Sequence, residues 1–271
     1  MCSFEIQFTP AGPPLPCRCR LKELAGWNQT EADLRRFLKL QPDGCFVAEV
    51  AGQVVGTVTA FIFGNVAWIA MVLVDPQYRK HGIGTALMTQ ALAVTGQRTV
   101  RLDATALGQP VYAKLGFVGE YELTRYVGML TGSTGSAMTP TSLTVVTQLD
   151  FKVTATLRGR LLETLAAEAG AHVRCVRTSG YLMDRPGAHA TQIGPAAALD
   201  EASGLALLND AARRLAGQPV MMDIPVANRP AITWAEAAGL KAQRTFLRMR
   251  RGPAVTDQPQ NIWASSGPEK G

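Results

Sequence analysis

Residues 66–92 constrain the fold of this chain more than any other stretch of its 271 residues. They begin with an unbroken apolar run, Val66–Val74, which is rich in β-branched residues and too short to cross a membrane, so it predicts a buried strand. Pro76 ends the strand, because proline supplies no backbone donor and restricts the residue before it. Apolar residues then recur at helical spacing, which predicts a helix that Gly96 closes.

The turn between this strand and this helix is suited to binding an anion. A helix N-terminus offers unpaired backbone N–H groups and the positive end of the helix dipole. Gly82 and Gly84 have no Cβ, so a phosphate can approach the backbone closely, and Arg79, Lys80 and His81 add positive charge. The turn is not a P-loop, which needs Lys followed by Ser or Thr, and it lacks the first Gly-x-Gly of the dinucleotide fingerprint.

Composition limits the class of protein. Hydrophobic residues make up 47% of the chain, which is ample for packed cores and argues against disorder. The length predicts one large or two ordinary domains. No segment near the start has the apolar core of a signal peptide or the length of a membrane span, so we expect a cytoplasmic protein that does not act on membranes.

The net charge, the cysteines and the histidines say less about function than the turn after Val74 does. The net charge of +6 fits a mildly basic surface, and without a basic run or an aromatic stacking motif we expect no nucleic-acid partner. The five cysteines are irregularly spaced and do not describe a disulfide framework. Cys17 and Cys19 lie close together, but no second cysteine pair accompanies them and the three histidines are scattered, so we expect free thiols and no metal site.

Further elements are predicted on both sides of the central segment. Thr30 and Asp33 resemble a capping box, which predicts a helix start. Residues 15–25 are ambiguous, and their pattern fits a short strand and one helical turn. Three strands in succession predict an antiparallel meander, and the strand–helix–strand unit after it predicts a parallel pair. The predicted elements are strands Cys45–Val50, Gln53–Phe63, Thr99–Asp103 and Glu120–Met129, and a short helix Gln109–Leu115.

The same order of elements recurs in the second part of the chain, which indicates a tandem duplication. Its predicted strands are Val173–Val176, Gly180–Asp184, Ala190–Ala197, Pro219–Ile224 and Gln243–Met249, with one helix capped by Asp200 and another over Pro230–Ala238. We predict an N-terminal domain over residues 1–130, a linker over 131–150, a C-terminal domain over 151–252 and a flexible tail over 253–271.

Residues 74–84 read Val-Asp-Pro-x-x-Arg-x-x-Gly-x-Gly, a run that resembles the acetyl-CoA signature of the GCN5-related N-acetyltransferase (GNAT) family. Tyr112–Phe117 resembles a second recurring motif of that family, although Thr105 stands where members commonly carry Asn. The resemblance implies an α/β fold with two tandem acyl-CoA N-acyltransferase-like domains, each a twisted mixed β-sheet flanked by helices. In the second domain an acidic segment, residues 198–203, stands in place of the signature, so we expect a degenerate domain that does not bind acetyl-CoA.

The resemblance also implies where acetyl-CoA binds. Pantetheine is expected in the cleft where two parallel strands splay apart, paired with backbone groups of Leu73 and Val74, and the pyrophosphate is expected on the signature turn. A backbone N–H near Met71 or Leu73 would face the thioester oxygen. The implied acetyl-CoA-binding residues are Leu73, Val74, Arg79, Lys80, His81, Gly82, Ile83, Gly84 and Thr85.

Four residues are candidates for chemistry or for binding the acceptor. Tyr112 is the candidate acid that protonates the departing thiolate, because the family often uses a Tyr at this motif position; packing or a contact with acetyl-CoA is the alternative. Asp103 is the candidate base or amine anchor, with a capping role as the alternative. Trp27 and Trp68 are candidates for lining the acceptor pocket, although aromatic residues on apolar elements more often belong to the core.

The leading hypothesis for function is an N-acetyltransferase that moves an acetyl group from acetyl-CoA, its co-substrate, to a small primary amine. One alternative is an acyl-CoA-binding sensor or scaffold without turnover, and the other is a protein or peptide acetyltransferase. The expected partner is a small-molecule amine, and the chain is expected to be a monomer or a homodimer. Nothing in the sequence selects the acceptor.

Overall fold

The computed structural model describes residues 7–10, 15–132 and 142–271, and its account of side chains begins at Arg20. The side chains of Cys17 and Cys19 and residues 133–141 of the predicted linker therefore lie outside the described part. The elements of the first half are β1 (Gln7–Pro10), α1 (Leu15–Leu24), α2 (Glu31–Leu40), β2 (Cys45–Val50), β3 (Gln53–Phe63), β4 (Val66–Val74), α3 (Ile83–Thr95), β5 (Thr99–Ala104), α4 (Gln109–Lys114) and β6 (Val118–Met129).

The second half repeats this order, which confirms the predicted tandem arrangement. Its elements are α5 (Leu143–Thr154), α6 (Gly159–Ala166), β7 (His172–Val176), β8 (Gly180–Arg185), β9 (Thr191–Ala198), α7 (Glu201–Arg214), β10 (Pro219–Pro225), α8 (Arg229–Ala237) and β11 (Lys241–Arg251). One further strand, β12 (Ile262–Ala264), follows in the tail, residues 253–271. Residues 15–25, which the sequence left ambiguous, contain no short strand: α1 covers Leu15–Leu24.

All the strands belong to one mixed sheet. The first half contributes the predicted meander, in which β2, β3 and β4 pair antiparallel in sequence. Strands β4 and β5 are parallel, as predicted from the strand–helix–strand unit, but their pairing covers only Val66–Trp68 against Thr99–Arg101. Beyond Trp68 the two strands diverge, so the carboxyl ends of β4 and β5 leave a cleft in the sheet.

The two halves exchange their last strands, which the sequence did not predict. The central strand order is β5-β11-β6-β10, so β11 of the second half lies between β5 and β6 of the first. In turn, β6 pairs with β10 of the second half along seven consecutive positions. The predicted boundary near residue 130 therefore separates two sequence repeats, but each repeat completes its part of the sheet with a strand from the other.

Two buried ion pairs hold the exchanged strands together. Arg248 on β11 stands opposite Asp103 on β5 and donates two hydrogen bonds to its carboxylate, from Nε at 2.8 Å and from Nη2 at 2.9 Å. Arg125 on β6 stands opposite Asp223 on β10 and makes the same two-point contact at 2.7 and 2.8 Å. Planar guanidinium groups suit this geometry, and burial makes each pair strong only while both partners are present.

The apolar core is also shared between the halves. Phe37, Phe61 and Trp68 of the first half belong to one buried cluster with Tyr181 and Met183 of the second. A second cluster combines the second half with Tyr126 and Leu130 of the first, and a third combines the first half with Met249 of β11. The fold therefore buries apolar surface across the boundary between the repeats as well as within each repeat.

The predicted flexible tail is wrong, and part of the predicted linker is helical. In the tail, β12 pairs with β9, and Trp263 is only 3% exposed. A Cβ built on Gly204 of α7 would lie 1.9 Å from Trp263 Cε2, so this glycine makes room for the indole. Residues 143–150 of the linker belong to α5, whose Leu149 and Val153 are buried. Polar composition suggested exposure, but a few apolar residues that fit a neighbouring element are enough to fix the segment.

We expect Trp263→Ala to lower the free energy of unfolding by about 3–5 kcal/mol, because it removes a large buried side chain and leaves a cavity. Urea denaturation followed by circular dichroism measures the change. Gln260→Ala is the control: its exposed side chain lies in the same tail, and its loss should change stability by less than about 0.5 kcal/mol. An unchanged unfolding midpoint for Trp263→Ala would show that the tail is not packed.

We expect Asp103→Asn to destabilise the protein by about 3–5 kcal/mol, because Arg248 is left buried without its counter-charge. The double variant Asp103→Leu/Arg248→Met removes both charges and should lose less stability than Asp103→Asn alone. The same denaturation experiment measures both variants. A double variant that is less stable than Asp103→Asn would contradict the assignment of this pair as the bond between the exchanged strands.

Candidate active site

The turn between β4 and α3 has the predicted anion-binding geometry. Gly82 is the N-cap of α3 with φ +79°, a conformation that glycine adopts without steric cost, and no side chain caps the helix. A Cβ built on Gly82 would meet nothing within 4 Å, and one on Gly84 would meet only Val74 Cγ2 at 3.6 Å. Because Gly82 and Gly84 have no side chains, the space next to the first backbone N–H groups of α3 is open.

Neighbouring contacts hold this turn in place. The carboxylate of Asp75 accepts hydrogen bonds from the backbone N–H of Gln77 at 3.0 Å and from Arg20 Nη1 at 2.7 Å. Arg79 donates from Nε to the Val74 carbonyl at 3.2 Å. Lys80 has φ +67°, which is uncommon for a residue with a Cβ and occurs most often where a surrounding structure imposes it. The turn is thus a fixed feature of the backbone.

Strand β4 carries a bulge immediately before the turn. Thr59 stands opposite Ala70 and Thr57 opposite Leu73, so Met71 and Val72 together face the single residue between Thr57 and Thr59. Met71 has φ +52°, and its carbonyl accepts a hydrogen bond from Thr57 Oγ1 at 2.7 Å. The bulge lies where β4 has already parted from β5, and it therefore redirects peptide groups at the edge of the cleft.

A cavity opens at this splay, and both halves and the tail form its walls. Ala70 and Met71 of β4 and Asp103 of β5 line one side. The second half and the tail contribute further lining residues. The other polar or aromatic lining residues are Trp27, Gln29, Thr105, Tyr112, Arg125, Arg244, Phe246 and Glu269. Of the predicted chemical residues, the structure therefore places Trp27, Tyr112 and Asp103 together on one cavity.

Tyr112 is half-buried on α4 at the edge of this cavity. A Cβ on Gly108 would lie 2.7 Å from Tyr112 Cε2, so this glycine allows the ring to lie against the preceding turn. The ring centroid is 6.1 Å from that of Phe117. Burial raises the pKa of Tyr112 to about 12. The phenol therefore stays protonated at neutral pH and can donate a hydrogen bond into the cavity.

The structure favours another role for Asp103 than the predicted base. Its side chain is 2% exposed and is held on both oxygens by Arg248, in the strand exchange described above. Both carboxylate oxygens accept hydrogen bonds from one buried guanidinium, so the structure commits this side chain to the contact between the exchanged strands. Sequence spacing located Asp103 at the end of its strand but gave no sign of the arginine that pairs with it, because Arg248 is 145 residues away.

Trp68 does not line this cavity, so the structure does not bring it together with the other predicted site residues. Its Nε1 donates to the Pro268 carbonyl at 2.9 Å, and the guanidinium carbon of Arg248 lies 4.7 Å from its ring centroid. The ring also faces Gly271, since a Cβ there would lie 2.9 Å from Trp68 Cε3. Trp68 therefore packs the tail against the sheet. His81, on the signature turn, is exposed and is not among the cavity residues.

The tail brings two charged residues that the sequence did not predict. Lys270 Nζ lies 2.9 Å from Asp33 Oδ1, and its other ion pair is with the neighbouring Glu269, which lines the cavity. Burial alone would raise the pKa of Asp33, but Lys270, Arg185 and Arg36 together hold that pKa below its ordinary value. Arg36 also pairs with Glu168. This ionised network connects the first half, the second half and the tail.

The corresponding turn in the second half is closed. Asp200 caps α7 as predicted, since its carboxylate accepts from the Ser203 backbone N–H at 2.8 Å and the Ser203 hydroxyl at 2.9 Å. Strands β9 and β10 pair at only two positions, and β12 lies between their diverging ends. Ser265 donates from its backbone to the Asp223 carbonyl of β10 at 2.8 Å. An acidic cap and a strand of the tail thus occupy the place of the open turn and cleft.

The described residues contain neither a candidate membrane span nor a candidate metal cluster. No helix in this part of the chain combines the length and the apolar character that a membrane span needs. No group of three or more His, Cys, Asp or Glu side chains in the same residues is arranged to hold a metal ion.

Comparisons with known proteins agree with this architecture. The Acetyltransferase (GNAT) family profile matches residues 15–117, and the Acetyltransferase (GNAT) domain profile matches residues 146–264. The uncharacterized N-acetyltransferase YitH of Bacillus subtilis is 31% identical over 99 residues, which span 36% of this chain and only 35% of that protein. Holothin acyltransferase of a Pseudoalteromonas species is 25% identical over 260 residues, covering 90% of this chain and 87% of its own length.

Solved structures show the same fold. A putative acetyltransferase from Pyrococcus horikoshii superposes with a TM-score of 0.88 at 24% identity, covering 98% of this chain and 96% of that one. A tandem GNAT protein from the clavulanic acid biosynthesis pathway gives a TM-score of 0.62 at 18% identity, with coverage of 92% and 100%. Both halves of the sequence match the family, and the fold repeats across them: this chain is a tandem two-domain acyltransferase of the GNAT family.

Proposed function

We propose that this chain transfers an acetyl group from acetyl-CoA to a primary amine of a small acceptor, by direct attack of the amine within a ternary complex. The observation that carries the proposal is the uncapped start of α3 beneath Gly82 and Gly84, placed beside a cavity at the splay of β4 and β5. Membership of an acyltransferase family favours turnover over a sensor without catalysis. A cavity walled by both halves and the tail favours a small acceptor over a protein surface.

The residues present fit the proposed co-substrate. A Cβ at Gly82 or a larger side chain at Gly84 would fill the space over the α3 N–H groups, which are suited to a pyrophosphate. Arg79, Lys80 and His81 would add positive charge, and backbone groups of Leu73 and Val74 would pair with the pantetheine arm in the cleft. Acetyl-CoA, when bound, supplies an activated acetyl thioester. The second half, with its capped turn and filled cleft, is proposed to bind none.

Tyr112 and the β4 bulge are proposed to act on the reacting groups. The bulge at Met71 breaks the regular strand geometry at the edge of the cleft, and a backbone N–H turned toward the thioester oxygen there would stabilise its negative charge. Tyr112 would donate its proton toward the departing sulfur, since its raised pKa keeps it protonated. Trp27 would form part of the acceptor wall. Asp103 is proposed to have a structural role, in which its ion pair with Arg248 holds β5 against β11.

The attacking amine is proposed to lose its proton to water. Among the described residues that line the cavity, the two carboxylates belong to Asp103 and Glu269, and both are held in ion pairs. The amine must be neutral to attack, and each of the two carboxylates is already engaged by a charged partner, Arg248 or Lys270. A chain of water molecules leading out of the cavity would carry the proton away without either carboxylate.

We expect Gly84→Trp to weaken acetyl-CoA binding about 100-fold or more, because the indole would cover the N–H groups that receive the pyrophosphate. Isothermal calorimetry measures the affinity and should give one site per chain for the unaltered protein. Gly159→Trp is the matched control, since Gly159 also begins a helix and has one ordinary neighbour, Thr147 Cγ2 at 3.5 Å. Unchanged binding in Gly84→Trp, or two sites per chain, would overturn this part of the proposal.

We expect Tyr112→Phe to lower kcat about 100-fold with little change in acetyl-CoA affinity, because it removes the proton donor and keeps the ring. Because the pKa of the phenol is about 12, Tyr112 should contribute no titration step to the rate between about pH 6 and pH 9. Release of free thiol from acetyl-CoA in the presence of an amine panel measures the rate. Equal turnover in Tyr112→Phe would remove this residue from the mechanism.

A further inference from the structure

Three charged residues stand side by side across the exchanged strands. At one level of the sheet, Asp223 on β10 is opposite Arg125 on β6, which is in turn opposite Arg244 on β11. Arg125 is fully engaged with Asp223 through two hydrogen bonds. The order across the sheet is therefore negative, positive, positive. Like charges directly opposite each other in antiparallel strands destabilise the pair.

Arg244 has no counter-charge of its own. Within the described ranges, no hydrogen bond or ion pair engages its guanidinium, whereas Arg125, which lines the same cavity, and Arg248, on the same strand as Arg244, are each paired with an aspartate. Desolvation and the nearby Arg125 charge lower the pKa of Arg244, although a guanidinium remains protonated at neutral pH. A half-buried cation beside another cation costs stability, and such costs concentrate at functional sites.

Arg244 lines the cavity on the side of β11 that faces away from β6. Strand β11 pairs with β5 only from Leu247, opposite Ala104, so no residue of β5 stands beside Arg244. Arg244 instead lines the cavity together with Thr105 and Tyr112. The carboxylates on the same cavity, Asp103 and Glu269, are engaged by Arg248 and by Lys270. A negative group placed in the cavity next to Arg244 would complete the alternation of charge that Asp223 and Arg125 begin.

We propose that Arg244 binds an anionic oxygen group, a carboxylate or a phosphate, of the acceptor, and thus that the acceptor is an amine that carries such a group. This inference rests on the proposed acetyl transfer and names the class of its acceptor. A guanidinium offers paired N–H donors in the geometry of a carboxylate or phosphate edge. The contact is made partly out of water and next to Arg125, so it would orient the acceptor and also relieve the repulsion between the two arginines.

The test compares amines that differ only in the anionic group: phenylalanine with phenethylamine, lysine with cadaverine, and phosphoethanolamine with ethanolamine. The unaltered protein should show a higher kcat/KM for the anionic member of at least one pair. In Arg244→Gln that preference should fall about 10- to 100-fold, through a lower kcat/KM for the amine that carries the anionic group, with the partner that lacks this group unaffected. A preference within the two amino acid pairs would identify a carboxylate as the bound group, and a preference within the phosphoethanolamine pair would identify a phosphate.

Arg251→Gln is the matched control, because Arg251 is exposed on the same strand, away from the cavity, and its loss removes the same charge. It should leave the preference unchanged. Acetylation without any preference for anionic amines, or a preference that survives in Arg244→Gln, would overturn the inference while acetyl transfer stands. A parallel loss of acetyl-CoA affinity in Arg244→Gln would overturn it as well, by assigning Arg244 to the co-substrate.

If none of these amines is acetylated, the proposed function fails. A binding experiment then tests the proposed role of Arg244 separately. Calorimetry with N-acetylphenylalanine and N-acetylphenethylamine measures recognition without turnover. Tighter binding of the carboxylated compound that is lost in Arg244→Gln would support the site. Equal binding of the two compounds, or no binding of either, would overturn it.

Discussion

The exchange of last strands between the two repeats is the constraint on which the rest of the structure depends. Strand β11 lies between β5 and β6, and β6 lies between β11 and β10, so neither repeat has a complete sheet alone. The Asp103–Arg248 and Arg125–Asp223 pairs stand on these shared boundaries. Each buried charge needs its partner from the other repeat, which makes the two repeats one cooperative unit.

The exchange also decides what the cleft contains. Because β11 runs beside β5, Arg244 and Phe246 of the second repeat face a cavity that begins at β4 of the first. The tail adds Glu269 to the lining of this cavity and fills the equivalent cleft of the second repeat with β12. Duplication thus produced one open site and one closed one. The closed copy supplies walls, counter-charges and a binding place for the tail.

Local pattern predicted the elements well, and long-range pairing could not be predicted. The meander Cys45–Val74, the parallel pair that follows it and the repeated order in the second half were all correct, since each follows from apolar spacing and turn residues. Tyr112 and Trp27 do line the cavity. The pairing of Asp103, the burial of Trp68 under the tail and the place of Arg244 depend on residues more than 100 positions away or on the other repeat.

The sequence by itself determined the repeated α/β elements and the glycine turn after β4, because both depend on neighbouring residues and on conformations that only particular residues adopt. It also showed that the second repeat lacks this turn. Only the tertiary structure decided which strands exchange, which charges become paired, and that an apparently polar tail is buried. Strand partners and ion pairs depend on the free energy of the whole assembled sheet, so they cannot be predicted from a local pattern in the chain.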